Sequence, residues 1–368
     1  MADLRHRFAV LDRVDVPDVW QQVNDLGPRP PSEERPPTAT RIAVAIVALL
    51  IAAAGIALAV RSLGGSSSPS SSPTPGRTPS PSSPPTPPAD AIVFARSASD
   101  SLDARIEIAY VPAGGGDVVL MTTEGKQGWV AAEPRWSPDG SRIAFVMSPR
   151  SHLTRFAGDG DIYAMNADGT DIRRLTEGLN ASTPAWSPDG SQIAFVRNQG
   201  RALVIMDADG SNQHVIARDR GYYQWPAWSP NGRLIAYQSS PDKNTEVTAI
   251  FIIQPDGTDD RRLTSGSASA GFPAWSPDGS RIAYSSGQLW IMNSDGSNAH
   301  HVTNCRLPCV FDFAPAWSPD AGALVFVRQE DGGRARRLYI LELATGAVRS
   351  LTPEIRWAGS PDWRPEPG

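Results

Sequence analysis

Four side chains in the last third of the chain have the types that hold a transition metal: His300, His301, Cys305 and Cys309. A metal needs ligand atoms that converge on one point. His300 and His301 are adjacent in a segment that reads as a strand, so their rings are expected on opposite faces, and no metal site is expected. Cys305 and Cys309 are the only cysteines. In an oxidising compartment they are expected to form a disulfide that tightens a long loop, with free thiols as the next alternative and a metal as the weakest. Asp168, Asp209, Asp256 and Asp295 carry the carboxylates a calcium loop uses, but such a loop needs several converging oxygens. Each of these recurs once per repeat beside a glycine, which is turn chemistry.

The motifs of catalysis do not occur. The chain has no Gly-x-Ser-x-Gly elbow, no phosphate-cradling glycine loop with a lysine, and no His-Glu-x-x-His pair. The expectation is a protein that is not an enzyme and uses no cofactor. Aromatic side chains are the stronger signal. Trp129, Tyr222, Tyr223, Trp225, Phe272, Phe311, Phe313 and Trp357 stand in the segments just ahead of a recurring Trp-bearing strand. That density of rings is typical of an interaction surface, and these eight are the candidate ligand-binding residues; core packing is the competing reading for any one of them.

The elements that must position them are visible as a repeat. PRWSPDGSRIAF (134–145), PAWSPDGSQIAF (184–195), PAWSPNGRLIAY (226–237), PAWSPDGSRIAY (273–284) and PAWSPDAGALVF (315–326) recur every 42 to 50 residues. Each reads as strand, turn and strand. In Ser-Pro-Asp-Gly, proline presets φ, aspartate bonds its local backbone and glycine accepts positive φ. A third strand follows, ending in a glycine turn, as in IYAMNADG (162–169) and LWIMNSDG (289–296), and then a polar fourth strand such as IRRLT (172–176). One four-stranded unit per period is the signature of a β-propeller blade. Five blades are complete. The sixth is split: Ile92-Val93-Phe94 opens the domain as a second strand, and Pro361-Asp362-Trp363 supplies the missing first strand, so their pairing is expected to close the ring and hide two sheet edges.

Pro-x-Trp-Ser-Pro-Asp-Gly followed by Ile-Ala-Phe closely resembles the TolB-type, WD40-like propeller repeat, and the resemblance covers residues 90 to 366. It implies an all-β, six-bladed propeller. The small α/β domain that accompanies the propeller in TolB is absent from this chain, so that protein's partners do not carry over. The resemblance also extends to propellers of prolyl oligopeptidase-like enzymes, whose hydrolase domain has no counterpart here.

Ahead of the propeller, expected at 90–368, the composition changes three times. Residues 42–60, IAVAIVALLIAAAGIALAV, have no charge and as a helix would span about 28 Å, the thickness of one hydrocarbon core. An uncleaved transmembrane helix is expected, because some forty residues precede it and it exceeds a usual signal-peptide core. Arg29, Arg35 and Arg41 before it, against Arg61 and the more distant Arg77 after it, favour segment 1–41 in the cytoplasm, so the propeller is expected outside the cell membrane. Residues 61–89 are rich in Ser and Pro and read as a disordered spacer; its stretch 64–88, if mostly polyproline II, reaches on the order of 75 Å. In segment 1–41, Val19, Trp20 and Val23 form a short apolar stripe that is either a marginal helix or a docking site for a cytoplasmic regulator. A net charge of −5 argues against nucleic acid as a partner. The leading expectation is a membrane-anchored, extracytoplasmic module that binds a protein, peptide or cell-wall polymer. A transmembrane sensor of anti-sigma type is the alternative, and propeller lyase or hydrolase chemistry the weakest.

Overall fold

The computed structural model describes residues 86–366, apart from 98–105, 123–128, 150–159, 219, 241–246, 267 and 334. The expected transmembrane helix at 42–60, the segment 1–41 and all but the end of the spacer lie outside the described residues. Among the described residues no helix is long and apolar enough to cross a membrane.

Among the described residues, twenty-four strands form six four-stranded antiparallel sheets. The first to appear is the split blade, with β1 (Ala91–Ser97), β2 (Ile106–Pro112) and β3 (Val119–Leu120). Next come β4 (Trp129–Trp136), β5 (Arg142–Pro149), β6 (Asp161–Asn166) and β7 (Arg173–Arg174), then β8 (Ser182–Trp186), β9 (Gln192–Arg197), β10 (Ala202–Asp207) and β11 (His214–Ala217). The fourth and fifth blades are β12 (Tyr223–Trp228), β13 (Ile235–Ser239), β14 (Ala249–Ile253), β15 (Arg261–Arg262), and β16 (Gly271–Trp275), β17 (Arg281–Ser286), β18 (Gln288–Asn293), β19 (His300–His301). The sixth is β20 (Phe311–Trp317), β21 (Ala323–Glu330), β22 (Ala335–Glu342) and β23 (Val348–Ser350), after which β24 (Ala358–Trp363) returns to the first. β24 pairs with β1 through Ile92 with Trp363, Val93 with Asp362, Ala95 with Gly359 and Arg96 with Ala358. The ring therefore closes as the terminal Pro-Asp-Trp copy requires. Strands β4, β8, β12, β16, β20 and β24 each touch their neighbours around the ring and line its axis.

The core is divided among the blade interfaces rather than gathered in one place. In the second strand of each blade, side chains two apart share a face. Ile143 and Phe145 pack toward the split blade, whereas Ala144, between them, faces the β8 blade. Ile193 and Phe195 fill that same interface, with Ala194 turned to the next. Large residues thus face backward, and the residue between them that faces forward is alanine in four blades and valine, Val93 and Val325, in the other two. The indole N–H groups bind the same neighbours together: Trp186 donates to the Arg135 carbonyl at 3.3 Å, Trp228 to Ala185 at 3.2 Å, Trp275 to Ala227 at 3.1 Å and Trp317 to Ala274 at 3.0 Å.

The turns form as their residue types dictate. In the first, Ser137 Oγ donates to Asp139 Oδ1 at 2.6 Å and accepts from Arg142 N–H at 2.9 Å, while Gly140 takes φ of 65°. The aspartates of the Asp-Gly turns are used in the same way: Asp168 Oδ1 accepts from the Thr170 hydroxyl at 2.6 Å, and Asp209, Asp256 and Asp295 each accept from a backbone N–H two residues on. Gly210 has a second reason to be glycine, because a Cβ there would lie 2.4 Å from the Leu175 carbonyl oxygen of the preceding blade.

Candidate functional site

Every innermost strand is interrupted at one point. The register of pairing shifts by an extra residue between Ala132 and Arg135, Ser182 and Ala185, Gln224 and Ala227, Gly271 and Ala274, and Phe313 and Ala316, and opposite Val93/Ala95 in β24. In each case the residue before the proline of Pro-x-Trp has a left-handed backbone: Glu133 (φ 57°), Thr183 (52°), Trp225 (52°), Phe272 (55°), Ala314 (51°) and Ser360 (49°). Such a conformation is uncommon outside glycine and costs about 1–3 kcal/mol for a bulky or branched residue. The following proline has no N–H, so breaking the ladder there leaves no backbone donor behind. A bulge re-aims its side chain, and this ring of six directs residues at the axis of the propeller.

The result is a cavity of about 600 Å³ at one end of the axis, bordered by parts of all six blades. Tyr222, Tyr223, Trp225, Phe272, Phe311, Phe313 and Trp357 all border it. Of the eight aromatic candidates only Trp129 does not; it starts β4, opposite Pro149. The rings are in mutual contact, with centroids 4.7 Å apart for Trp225 and Phe272, 5.5 Å for Phe272 and Phe313, and 5.6 Å for Phe311 and Phe313. Toward the other end of the axis lies a second cavity of about 290 Å³, walled by the Pro-x-Trp segments. Trp225 and Phe272 border both and form part of the partition.

Two expectations need correcting. Six of the eight candidates, Trp129, Tyr223, Trp225, Phe272, Phe311 and Phe313, lie within innermost strands, not in the loops ahead of them, because those strands begin early and tolerate the bulge. Tyr223 is also a core residue: it is 1% exposed, packs 5.5 Å from Tyr237, and its hydroxyl accepts from the Arg220 N–H at 3.1 Å. Tyr222 is the exposed member of that pair, at 45%, and Arg201 sits 5.1 Å over its ring.

The polar part of the wall was not anticipated. Glu133 is 2% exposed; its Oε2 accepts from the Thr183 N–H at 2.6 Å, whereas its Oε1 has no partner, nor does Thr183 Oγ1. Burial drives the Glu133 carboxyl up to about 7, against the opposing pull of the Thr183 N–H and of Arg135. Arg336, from the start of β22, holds its guanidinium 5.5 Å from the Phe313 centroid. Burial lowers its affinity for a proton, and among the described residues no carboxylate forms an ion pair with it. Alignment on Pro-x-Trp alone would have found Glu133, Thr183 and Ser360, since they share a position with Trp225 and Phe272. Nothing in the repeat points to Arg336.

In the split blade, Asp362 stands where four other repeats have alanine, and its Oδ2 accepts from the Trp136 N–H at 2.7 Å. Burial raises its carboxyl to about 6 despite Arg135 nearby. Cys305 and Cys309 are joined by a disulfide beside the buried Asp312, which makes a bidentate ion pair with Arg328 at 2.8 and 2.9 Å.

This architecture is that of a six-bladed β-propeller with one ligand-sized cavity on its axis. Its fold is similar to that of TolB from Acinetobacter baumannii, with a TM-score of 0.62 at 20% identity over 75% of this chain and 67% of the other. A protein assigned as TolB from Agrobacterium tumefaciens gives 0.54 at 20% identity, covering 71% and 88%. A chain of a nidogen/laminin complex gives 0.57 at 13% identity, covering 76% and 99%. No protein-family model and no curated protein matches the sequence. At these identities the likeness concerns the fold.

Proposed function

We propose that this chain is a non-enzymatic binding module, held on the outer face of a membrane by the helix at 42–60, whose axial cavity captures part of a protein, peptide or cell-wall polymer. The observation that carries the reading is convergence: aromatic residues from four different blades meet around one cavity on backbone that is strained at each bulge. Strained backbone persists where surrounding structure enforces it, and it clusters at ligand sites. A cavity of this volume suits a small molecule or the end of a chain. That propellers of this shape occur in a protein assembly, as in the nidogen/laminin complex, is consistent with a macromolecular partner.

The test is capture by the full-length chain purified in detergent, with Trp225→Ser as the comparison. Enrichment of one partner by the unaltered protein, and its loss in the variant, is expected. Equal capture by both would remove the cavity from the interaction. For the anchor, protease added to intact cells should release a fragment that begins in the Ser/Pro spacer; release of the N-terminal segment instead would reverse the orientation.

A further inference from the structure

Resting on that reading, we propose that the axial cavity selects a ligand with an anionic group beside an aromatic one, an aryl carboxylate such as the free C-terminal end of a peptide that finishes in an aromatic residue, and that Arg336 receives the anion. The charge inventory of the wall leads there. Among the described residues, Arg336 is the only basic side chain bordering the cavity and Glu133 the only acidic one. Two neighbouring arginines are already engaged: Arg328 is paired with Asp312, and Arg337 donates to Glu330 Oε2 at 2.6 Å. Arg336 has an aromatic face under it and no carboxylate beside it.

A guanidinium keeps its charge at any physiological pH. Leaving one partly desolvated and unpaired is costly, and the cost is recovered when a carboxylate takes up its forked donors. Glu133 does not serve as that partner: one oxygen is committed to the Thr183 N–H, and burial favours its neutral form. Among the described wall residues Arg336 therefore carries the charge that does not change with pH. Next to Arg336, the contiguous rings of Phe313, Phe272 and Trp225 offer a surface on which a flat apolar group stacks, preferring offset or edge contacts. An anion and a ring on the same ligand satisfy both.

Isothermal titration calorimetry on the full-length chain tests this with four probes: 3-phenylpropionate, the tripeptide Gly-Gly-Phe with a free carboxylate, the same tripeptide as its amide, and phenethylamine. The free-acid probes are expected to bind at least ten-fold more tightly than the amide, and phenethylamine more weakly still. Comparing 3-phenylpropionate with the tripeptide separates a small acid from a chain end: a gain for the tripeptide means that Gln224 and Tyr222 farther along the wall contribute. Arg336→Met, which keeps the aliphatic cover on Phe313, should abolish the preference for acid over amide. Should that variant fail to fold, Arg336→Lys, which retains charge without the fork, should keep a reduced preference. Equal binding of acid and amide, tighter binding of the amine, an unaltered preference in Arg336→Met, or no binding by any probe would overturn the proposal. A macromolecular partner still captured in a Trp225-dependent manner would then leave the broader binding reading standing.

Discussion

Glu133 and Asp362 are acids held where ionisation is costly, and their consequence for stability has a definite sign. Their folded values, about 7 and about 6, lie above the ordinary 4.5 and 3.8. Between those limits the folded chain keeps protons that the unfolded chain releases, so stability falls as pH rises through the window. Asp139 and Asp278 act oppositely. Serine hydroxyls hold both near 2, so the stability they contribute is present above the ordinary value and lost as pH falls through 2. Glu133→Gln and Asp362→Asn should therefore each flatten the decline in melting temperature between pH 5 and pH 8, and raise it at pH 8 by a few degrees at about 2–4 °C per kcal/mol. Glutamine can do the structural work of Glu133, since Gln238 Oε1 already accepts from the Phe272 N–H at 3.3 Å. An unchanged pH slope in both variants would show that these carboxyls are solvated. Tyr223 and Trp225 make a second contrast at this scale. Trp225→Ser is expected to weaken capture by about 2 kcal/mol, the loss of a hot spot, with little change in melting. Tyr223→Ser should instead lower the melting temperature through a cavity penalty of about 3–5 kcal/mol. The reverse pattern would exchange their roles.

Strand by strand, the outer edge of five of the six blades is finished by one hydroxyl. Thr122, Thr176, Thr264, Thr303 and Thr352 each accept, at 2.9–3.0 Å, from a third-strand N–H, those of Ile108, Ile162, Ile250, Leu289 and Leu338. The side chain takes the bond that a continuing backbone would otherwise make. Where the residue is Ala217, the outer strand β11 continues to it and pairs with Leu203 instead. Thr176→Ala is thus expected to leave the Ile162 N–H without its partner, at a cost of about 1–3 kcal/mol, visible as a lower denaturation midpoint with an unchanged m-value. If β7 lengthens to compensate, as β11 does, the loss will be smaller and hydrogen exchange at Ile162 will stay slow. The outermost strands also carry Arg173, Arg174, Arg261, Arg262, His300 and His301, all exposed, and charge at an unpaired edge deters strand addition.

Blade number and ring closure were legible because Pro-x-Trp and Ile-Ala-Phe keep residue type and spacing together through every copy. The aromatic wall was legible in outline, since Trp225, Phe272, Phe311 and Phe313 cluster ahead of their tryptophans. The acid and the base of the wall were not. Glu133 shares its bulge position with Thr183, Trp225 and Phe272, and a position whose residue type changes at each copy hides a common geometry. Tyr222 and Tyr223 could not be told apart, because the bulge beside them resets the alternation on which such a judgement depends. Arg336 lies at a hairpin end outside every repeated motif, and it meets Phe313 only once β20, β21 and β22 are assembled into one blade.

For the whole molecule, closure depends on β24, the strand that supplies both the last tryptophan and the Asp362 seam. Removing residues 358–368 should expose one edge of β1 and the flank of β4 and turn a single unfolding transition into a broad one. A truncated chain that melts as sharply and as high as the intact one would show that five and three-quarter blades suffice.

The position of β1 has a mechanical corollary. The chain enters the propeller at Ala91, in the strand held between β24 on one side and β2 on the other. Arg364 N–H donates to the Ala91 carbonyl at 2.8 Å, and Ala113 N–H to that of Asp90 at 3.1 Å, so the point of entry is fastened on both flanks. A pull applied to the chain ahead of Ala91 would meet two strand pairings loaded together in shear, rather than an edge that unzips one bond at a time. A tether attached at an outer strand would peel its blade away; attached here, it pulls against the ring's own clasp.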